Sequence, residues 1–184
     1  LVDGKKNIPY PEVLNAILES RKPVIAAVNG AAYAGGLGLI AASDIVVTDQ
    51  VAQFSFSEVR IGVIPAVISV VCIPKLGSHN AMKLFITGEK FSGKDAVGYG
   101  LAHVAVPRND LENAVETQIE MINLGGPNAV IECKQLVRKI EKLSVHDGFI
   151  EAGPWSQKMF SSDEGAEGMA AFRNKRAPAW VQKE

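Results

Sequence analysis

The segment from Pro23 to Val47 limits what this chain can fold into more than any other. Val24-Ile25-Ala26-Ala27-Val28 is a short apolar run without alternation, and this predicts a strand buried on both faces. Asn29-Gly30 ends it. Small residues crowd the start of the next stretch, residues 31–43, and helix formers fill its end, which predicts a loop and then a short buried helix from about Gly35. Ile45-Val46-Val47 predicts a second buried strand, with Asp44 before it as a structural hydrogen-bonding residue. Strand, helix and strand in quick succession predict a βαβ unit with a right-handed crossover.

The rest of the chain extends that unit. Val13, Leu14, Ile17 and Leu18 lie at helical spacing within residues 11–20, after Pro9 and Pro11. Residues 53–56 alternate and predict a short half-buried strand. Residues 81–87 and 93–99 predict two short helices, and residues 102–106 a last strand. Helices follow at about 110–123, 127–143, 146–160 and 162–173, the last with Ser162 as N-cap and Asp163 and Glu164 in its first turn. The expectation is an α/β core over residues 1–106 and a helical region over 107–184.

Composition narrows the function classes. With 47% hydrophobic and 21% charged residues in 184, the chain has the make-up of an ordinary globular domain. A net charge of -1 gives no reason to expect nucleic acid or an anionic membrane as partner. The longest near-apolar stretch, residues 61–73, is too short to span a bilayer and contains Pro65. Leu1 to Lys6 has no apolar signal-peptide core. Cys72 and Cys133 sit in no CxxC or ligand spacing and predict reduced thiols in a cytoplasmic protein. His79, His103 and His146 are scattered, so no metal site is expected. The chain starts with Leu rather than Met, which suggests a fragment, a processed form or an incomplete gene model.

Two segments can carry chemistry. Ala34-Gly35-Gly36-Leu37-Gly38 leaves a strand and enters a helix, where unpaired N–H groups and the helix dipole suit a developing oxyanion. Tight backbone packing is the structural alternative. The spacing of Gly30, Gly35, Gly36 and Gly38 is not that of a dinucleotide- or phosphate-binding loop. In Phe54-Ser55-Phe56-Ser57-Glu58-Val59-Arg60-Ile61, Glu58 sits among aromatic and aliphatic residues. A carboxyl in such surroundings is a candidate proton-transfer group, whereas a solvent-facing turn screened by Arg60 would need no function.

Together these segments resemble the crotonase (enoyl-CoA hydratase/isomerase) superfamily. The resemblance runs through the whole stretch from Lys22 to Gly36, then Ser43-Asp44-Ile45-Val46-Val47, Ala52-Gln53-Phe54, and Glu58-Val59-Arg60-Ile61-Gly62-Val63-Ile64-Pro65. Leu84-Phe85-Ile86-Thr87-Gly88, Ala96-Val97-Gly98-Tyr99-Gly100-Leu101 and the run from Ser162 to Phe172 continue it in order. The fold implied is α/β: a crotonase-like ββα spiral core followed by a C-terminal helical region, here lacking the N-terminal core strands.

The resemblance implies an acyl-CoA thioester substrate, with coenzyme A part of that substrate and no separate cofactor, in fatty acid metabolism. It makes the Gly35 amide an oxyanion donor and Glu58 the acid–base carboxylate. It puts Gly36, Pro65 and Ala66 against the substrate, with Pro65 and Ala66 beginning the next helix, although turn-making accounts equally well for Pro65. A second oxyanion donor belongs to an upstream loop not found in this sequence, and losing one donor costs about 10²–10³ in rate. Family hydratases usually carry a further glutamate three positions after the oxyanion glycine. Here that residue is Gly38, and replacing it by glutamate is expected to leave the fold intact. The residues after Ser57 look most like the methylglutaconyl-CoA and carboxygeranoyl-CoA hydratase branch, which also has glycine there and takes 3-methyl-branched substrates bearing a distal carboxylate. The implied activity is hydration of a C2–C3 double bond. The alternatives are a Δ3,Δ2-enoyl-CoA isomerase, for which one carboxylate suffices, or an inactive or truncated protein that binds acyl-CoA or only oligomerises. The C-terminal helices imply a homotrimer or hexamer, with helices that merely close their own core as the alternative.

Overall fold

A computed structural model describes residues 8–181. The expectation for Leu1 to Lys6 lies outside the described residues. The chain forms two compact units, Leu1–Val115 and Glu116–Glu184.

The first unit opens with helix α1, Tyr10–Glu19, which has Pro11 in its first turn and buries Leu14. Tyr10, Ile17 and Leu18 pack against the core from the same helix. Strand β1, Ile25–Val28, then pairs in parallel with β3, Ile45–Asp49, in the register Ile25↔Ile45 to Val28↔Thr48. It is not buried on both faces as predicted: Ile25, Ala26 and Val28 are half-buried and Ala27 is exposed, because β1 lies at the edge of its sheet among the described residues. Helix α2, Gly35–Ala42, lies between them in sequence. Asp44 acts as predicted: its Oδ2 accepts from the Val24 amide at 2.8 Å, and its own amide donates to Val24 O at 2.9 Å. This reciprocal pair closes the strand end that Pro23 leaves open. Strand β6, Val104–Val106, adds to β3 in parallel, which completes the sheet order β1-β3-β6. His103 joins the same edge, since its amide donates to Val46 O and its Nδ1 accepts from the Val46 amide at 3.0 Å. Partial burial and the Lys75 charge hold that imidazole below its ordinary pKa, which favours the neutral, accepting ring.

A second small sheet was not predicted. Two-residue strand β2, Ala32–Tyr33, pairs in parallel with β4, Gln53–Ser55, and β4 pairs antiparallel with β5, Phe91–Ser92. The strand predicted over residues 53–56 is not half-buried. Phe54, Ser55 and Phe56 are all buried, because Ser55 Oγ donates to Gly88 O at 2.9 Å and Phe56 packs on Phe85 with ring centroids 4.6 Å apart.

Helix α3 starts at Ala66 after Pro65, as the resemblance implies, and runs to Thr87, taking in the segment predicted from local pattern at residues 81–87. It breaks at Gly77, whose φ of 69° and ψ of 158° are open to glycine and costly for other residues. Its inner face buries Ile68, Val71, Cys72 and Leu76 against α2, which adds Leu37, Ile40 and Ala41 to one apolar core. Burying a side chain of this size fully contributes about 1.5–3 kcal/mol. Helix α4, Gly93–Gly98, starts on a capping box in which Ser92 and Asp95 exchange hydrogen bonds.

Four longer helices follow: α5, Leu111–Asn123, α6, Pro127–Ile140, α7, Val145–Phe160, and α8, Asp163–Arg173. Ser162 caps α8 as predicted, its Oγ accepting from the Gly165 amide at 3.0 Å. No helix among the described residues is long and apolar enough to cross a membrane.

Candidate active site

Strands β2 and β4 bring the two chemical segments together. They run parallel with Tyr33 opposite Ser55, so the residues after each leave the pair at the same end. From β2 the chain enters Ala34 and Gly35; from β4 it enters Phe56 and the 3₁₀ turn Ser57–Ile61 that carries Glu58. The Ala34 amide extends the ladder by donating to Ser55 O at 3.2 Å. Ligands of α/β folds commonly gather at such carboxyl strand ends.

Gly35 is the first residue of α2, and no side chain caps that helix. First-turn amides have no partner inside a helix, so this end can donate to an anion. The residue before it is backbone-strained. Ala34 has φ 48° and ψ −119°, a region alanine rarely enters, at a cost of about 1–3 kcal/mol. Strain of this kind persists only where neighbours over-determine it. Here the Ala34 amide is held by Ser55 O, its carbonyl accepts from the Leu37 amide at 2.9 Å, and the carbonyl of Gly35 accepts from the Tyr10 hydroxyl.

Glu58 is half-buried, which lies between the two situations its sequence allowed. Its Oε2 is fully buried, and among the described residues it is the one buried side-chain polar atom without a hydrogen-bond partner. An orphaned carboxylate oxygen costs stability unless a ligand or proton satisfies it. The turn that holds it is anchored on both sides. Phe56 is fully buried, and Gly88, at φ 56°, lets the end of α3 approach so closely that a Cβ there would meet Val59 at 3.0 Å and Phe56 O at 3.3 Å.

Cys72 lies between the two segments. Its Sγ reaches Leu37 O in α2 at 3.8 Å, and burial together with the Glu58 charge pushes its thiol up to about 12. It is therefore a neutral packing group beside Glu58 rather than a nucleophile. Tyr10 is also raised, first by burial and then by Cys72. Gly38 is buried against Ile68 and Tyr10: a Cβ there would stand 2.5 Å from Ile68 Cγ2 and 2.6 Å from the Tyr10 hydroxyl. A glutamate there would have to displace Ile68 or Tyr10, so the packing speaks against the expectation that it enters with the fold intact.

Of the other predicted residues, Gly36 follows Gly35 in the first turn of α2 and has Ala32 at 3.4 Å from its Cβ position. Pro65 is buried as the N-cap of α3, and its carbonyl accepts from the Ser69 amide at 2.9 Å. Ala66 is exposed at the first position of that helix. A cavity of about 520 Å³ lined by Gln50, Gln53, Lys90 and Lys94 contains none of these residues. Sequence reasoning missed Tyr10, Ala34, Ile68 and Cys72. Tyr10 could have been found, since it shares a helix face with Leu14 and Ile17 while carrying a polar tip.

Comparison with known proteins identifies relatives of this chain over nearly its full length. The enoyl-CoA hydratase/isomerase family model matches residues 3–183. A peroxisomal Delta(3,5)-Delta(2,4)-dienoyl-CoA isomerase of Arabidopsis thaliana is 34% identical over 92% of this chain, and a carnitinyl-CoA dehydratase of Salmonella typhi is 32% identical over 91%. The chain spans 62% of the length of the first and 66% of the second. Among solved structures, an enoyl-CoA hydratase of Mycobacterium smegmatis superposes with a TM-score of 0.90 at 29% identity, covering 94% of this chain and 67% of that one. An enoyl-CoA hydratase of Shewanella pealeana gives 0.86 at 30% identity, covering 93% and 64%. An uncapped helix start and a half-buried carboxyl, carried on adjacent parallel strands, thus sit in a chain matched by one family model over nearly its full length. The chain belongs to the enoyl-CoA hydratase/isomerase family.

Proposed function

We propose that this chain binds an enoyl-CoA thioester and adds water across its C2–C3 double bond, with Glu58 as acid–base group and the Gly35 amide as oxyanion donor. The observation that supports this most is the buried, unpartnered Oε2 of Glu58 at the strand end where α2 also begins. As water attacks C3, Glu58 takes its proton, the C2–C3 π electrons move toward the thioester, and the thioester oxygen gains charge against the Gly35 amide. The enolate then collapses, and Glu58 returns the proton to C2. One carboxyl serves both steps in sequence, because Gly38 offers no second one. Coenzyme A enters and leaves as part of the substrate, and Gly36, Pro65 and Ala66 lie against it.

Glu58→Gln is expected to lower kcat by about 10²–10⁴-fold while acyl-CoA binding stays near the parent value. Hydration by this variant at the parent rate would remove Glu58 from the mechanism. The glycine at 38 favours the methylglutaconyl-CoA-type branch, so a 3-methyl-branched enoyl-CoA with a distal carboxylate is the first substrate to assay. A second reading is Δ3,Δ2-enoyl-CoA isomerisation, in which a single base shuttles a proton between carbons. The single carboxyl favours it, and so does likeness to a protein named as a dienoyl-CoA isomerase. Product analysis with trans-2- and 3-enoyl-CoA substrates separates the two.

A further inference from the structure

We propose that the Tyr10 hydroxyl is a positioning group that clamps the strained turn presenting the Gly35 amide. This inference rests on the reading of Gly35 as an oxyanion donor. Tyr10 reaches across from α1, twenty-five residues away in sequence, and its hydroxyl donates to the Gly35 carbonyl. That carbonyl belongs to the first peptide of α2, so the bond fixes the plane of the Gly35–Gly36 peptide and the direction in which the helix leaves Ala34. The clamp is close on every side. The ring lies 3.6 Å from where a Gly35 Cβ would stand, and the hydroxyl fills the space over Gly38.

A clamp is needed because Ala34 is held in a conformation that glycine enters freely and alanine does not. Without an external hold, the turn gains by relaxing, and relaxation re-aims the amide that follows. Two of the three holds on this turn are backbone bonds that come with β2 and with the start of α2. Tyr10 supplies the one that a single side chain controls. Its role is distinct from that of Glu58, since its proton is committed to a backbone carbonyl and takes no part in the proposed proton transfers.

The test is a double-variant cycle of Tyr10→Phe and Ala34→Gly on the intact chain. Phenylalanine keeps the ring and its packing but removes the bond, and glycine removes the strain that the bond opposes. The first readout is the amide resonances of Gly35 and Gly36 in ¹⁵N-edited spectra, which needs no turnover. We expect Tyr10→Phe to move both resonances in the parent chain and to move them less than half as far in the Ala34→Gly chain. The second readout is kinetic: kcat falls about 10–100-fold with KM nearly unchanged, and most of that loss disappears in the Ala34→Gly background. A side chain that merely packs would give equal effects in both backgrounds. Equal effects, or unmoved Gly35 and Gly36 resonances, overturn the proposal. The two readings fail separately. Parent-rate turnover by Glu58→Gln removes the assigned chemistry, while the resonances still decide whether Tyr10 holds the turn.

Discussion

At Gly38 a single hydrogen stands where any side chain would press Ile68 Cγ2 at 2.5 Å and the Tyr10 hydroxyl at 2.6 Å. Two effects oppose each other in Gly38→Ala. Helix propensity favours alanine by about 1 kcal/mol, whereas overpacking a closed core costs about 1–3 kcal/mol. The contacts decide for overpacking, because Ile68 Cγ2 branches directly from Cβ and cannot swing clear as a long side chain could. Gly38→Ala is therefore expected to lower unfolding free energy, by up to about 2 kcal/mol in urea titration. The loss should shrink when Ile68 is also alanine, since that removes the clashing methyl. An unchanged midpoint in Gly38→Ala alone would mean that Ile68 and Tyr10 give way freely. Position 38 also marks the limit of what residues show in one dimension. The glycine itself is visible in sequence, and so is its difference from hydratases with two carboxyls. That its side-chain volume is filled from α1 and α3 is a three-dimensional fact. Glu58 was legible as a candidate because aromatic residues before it and aliphatic ones after it imply burial. Its half-burial depends on Gly88, thirty residues on, which no local pattern connects to it.

Elements were legible where a local pattern had one physical reading. The strand over β1, the small-residue entry to α2 and the capping serine of α8 each follow from short-range rules, whereas the burial expected for β1 does not hold, because its place at the edge of the sheet is not a local property. Local pattern showed only the last part of α3, residues 81–87, because Pro74 and Gly77 interrupt it, whereas the structure carries the helix through Pro74 and kinks it at Gly77. Strand β2 was missed because two residues leave no periodicity; only its partner β4 makes it a strand. Glu164 shows the same difference between local and non-local roles. Its place in the first turn of α8 predicts a dipole interaction with its own helix. Instead its carboxylate accepts from the amides of Asn128 and Ala129 at 3.0 and 2.7 Å, and so caps the start of α6. It lies so close that a Cβ on Gly126 would meet Oε1 at 2.4 Å. Glu164→Ala thus removes a cap from a neighbouring helix and leaves α8 with Ser162. The expected cost is about 1–2 kcal/mol, with faster hydrogen exchange at Asn128 and Ala129 and little change at Gly165. Faster exchange confined to the first turn of α8 would return Glu164 to the local role.

For the molecule as a whole, the distribution of apolar surface carries the argument. The first unit has a contiguous core, but the Glu116–Glu184 unit buries one hydrophobic side chain among its described residues, Ala171. Helices that close their own core would bury more than this. The same unit leaves large apolar groups in solvent, among them Val145 at 79%, Phe149 at 76% and Phe172 at 85% exposed. Val145 and Phe149 are four residues apart and share one face of α7. Exposed apolar groups of this kind suit an association surface, and the oligomer that the family resemblance implies would cover them. We expect light scattering on the eluted protein to give three or six times the 19.6 kDa of one chain. Phe149→Lys should lower that mass toward one chain with the helical circular dichroism retained, because a side chain this exposed contributes little to its own unit's packing. Obligate interfaces are apolar at their centre, so a buried lysine there is costly while a solvated one is not. A monomer mass for the parent protein at micromolar concentration would refute the oligomer, and a trimer that survives Phe149→Lys would place the interface on another face.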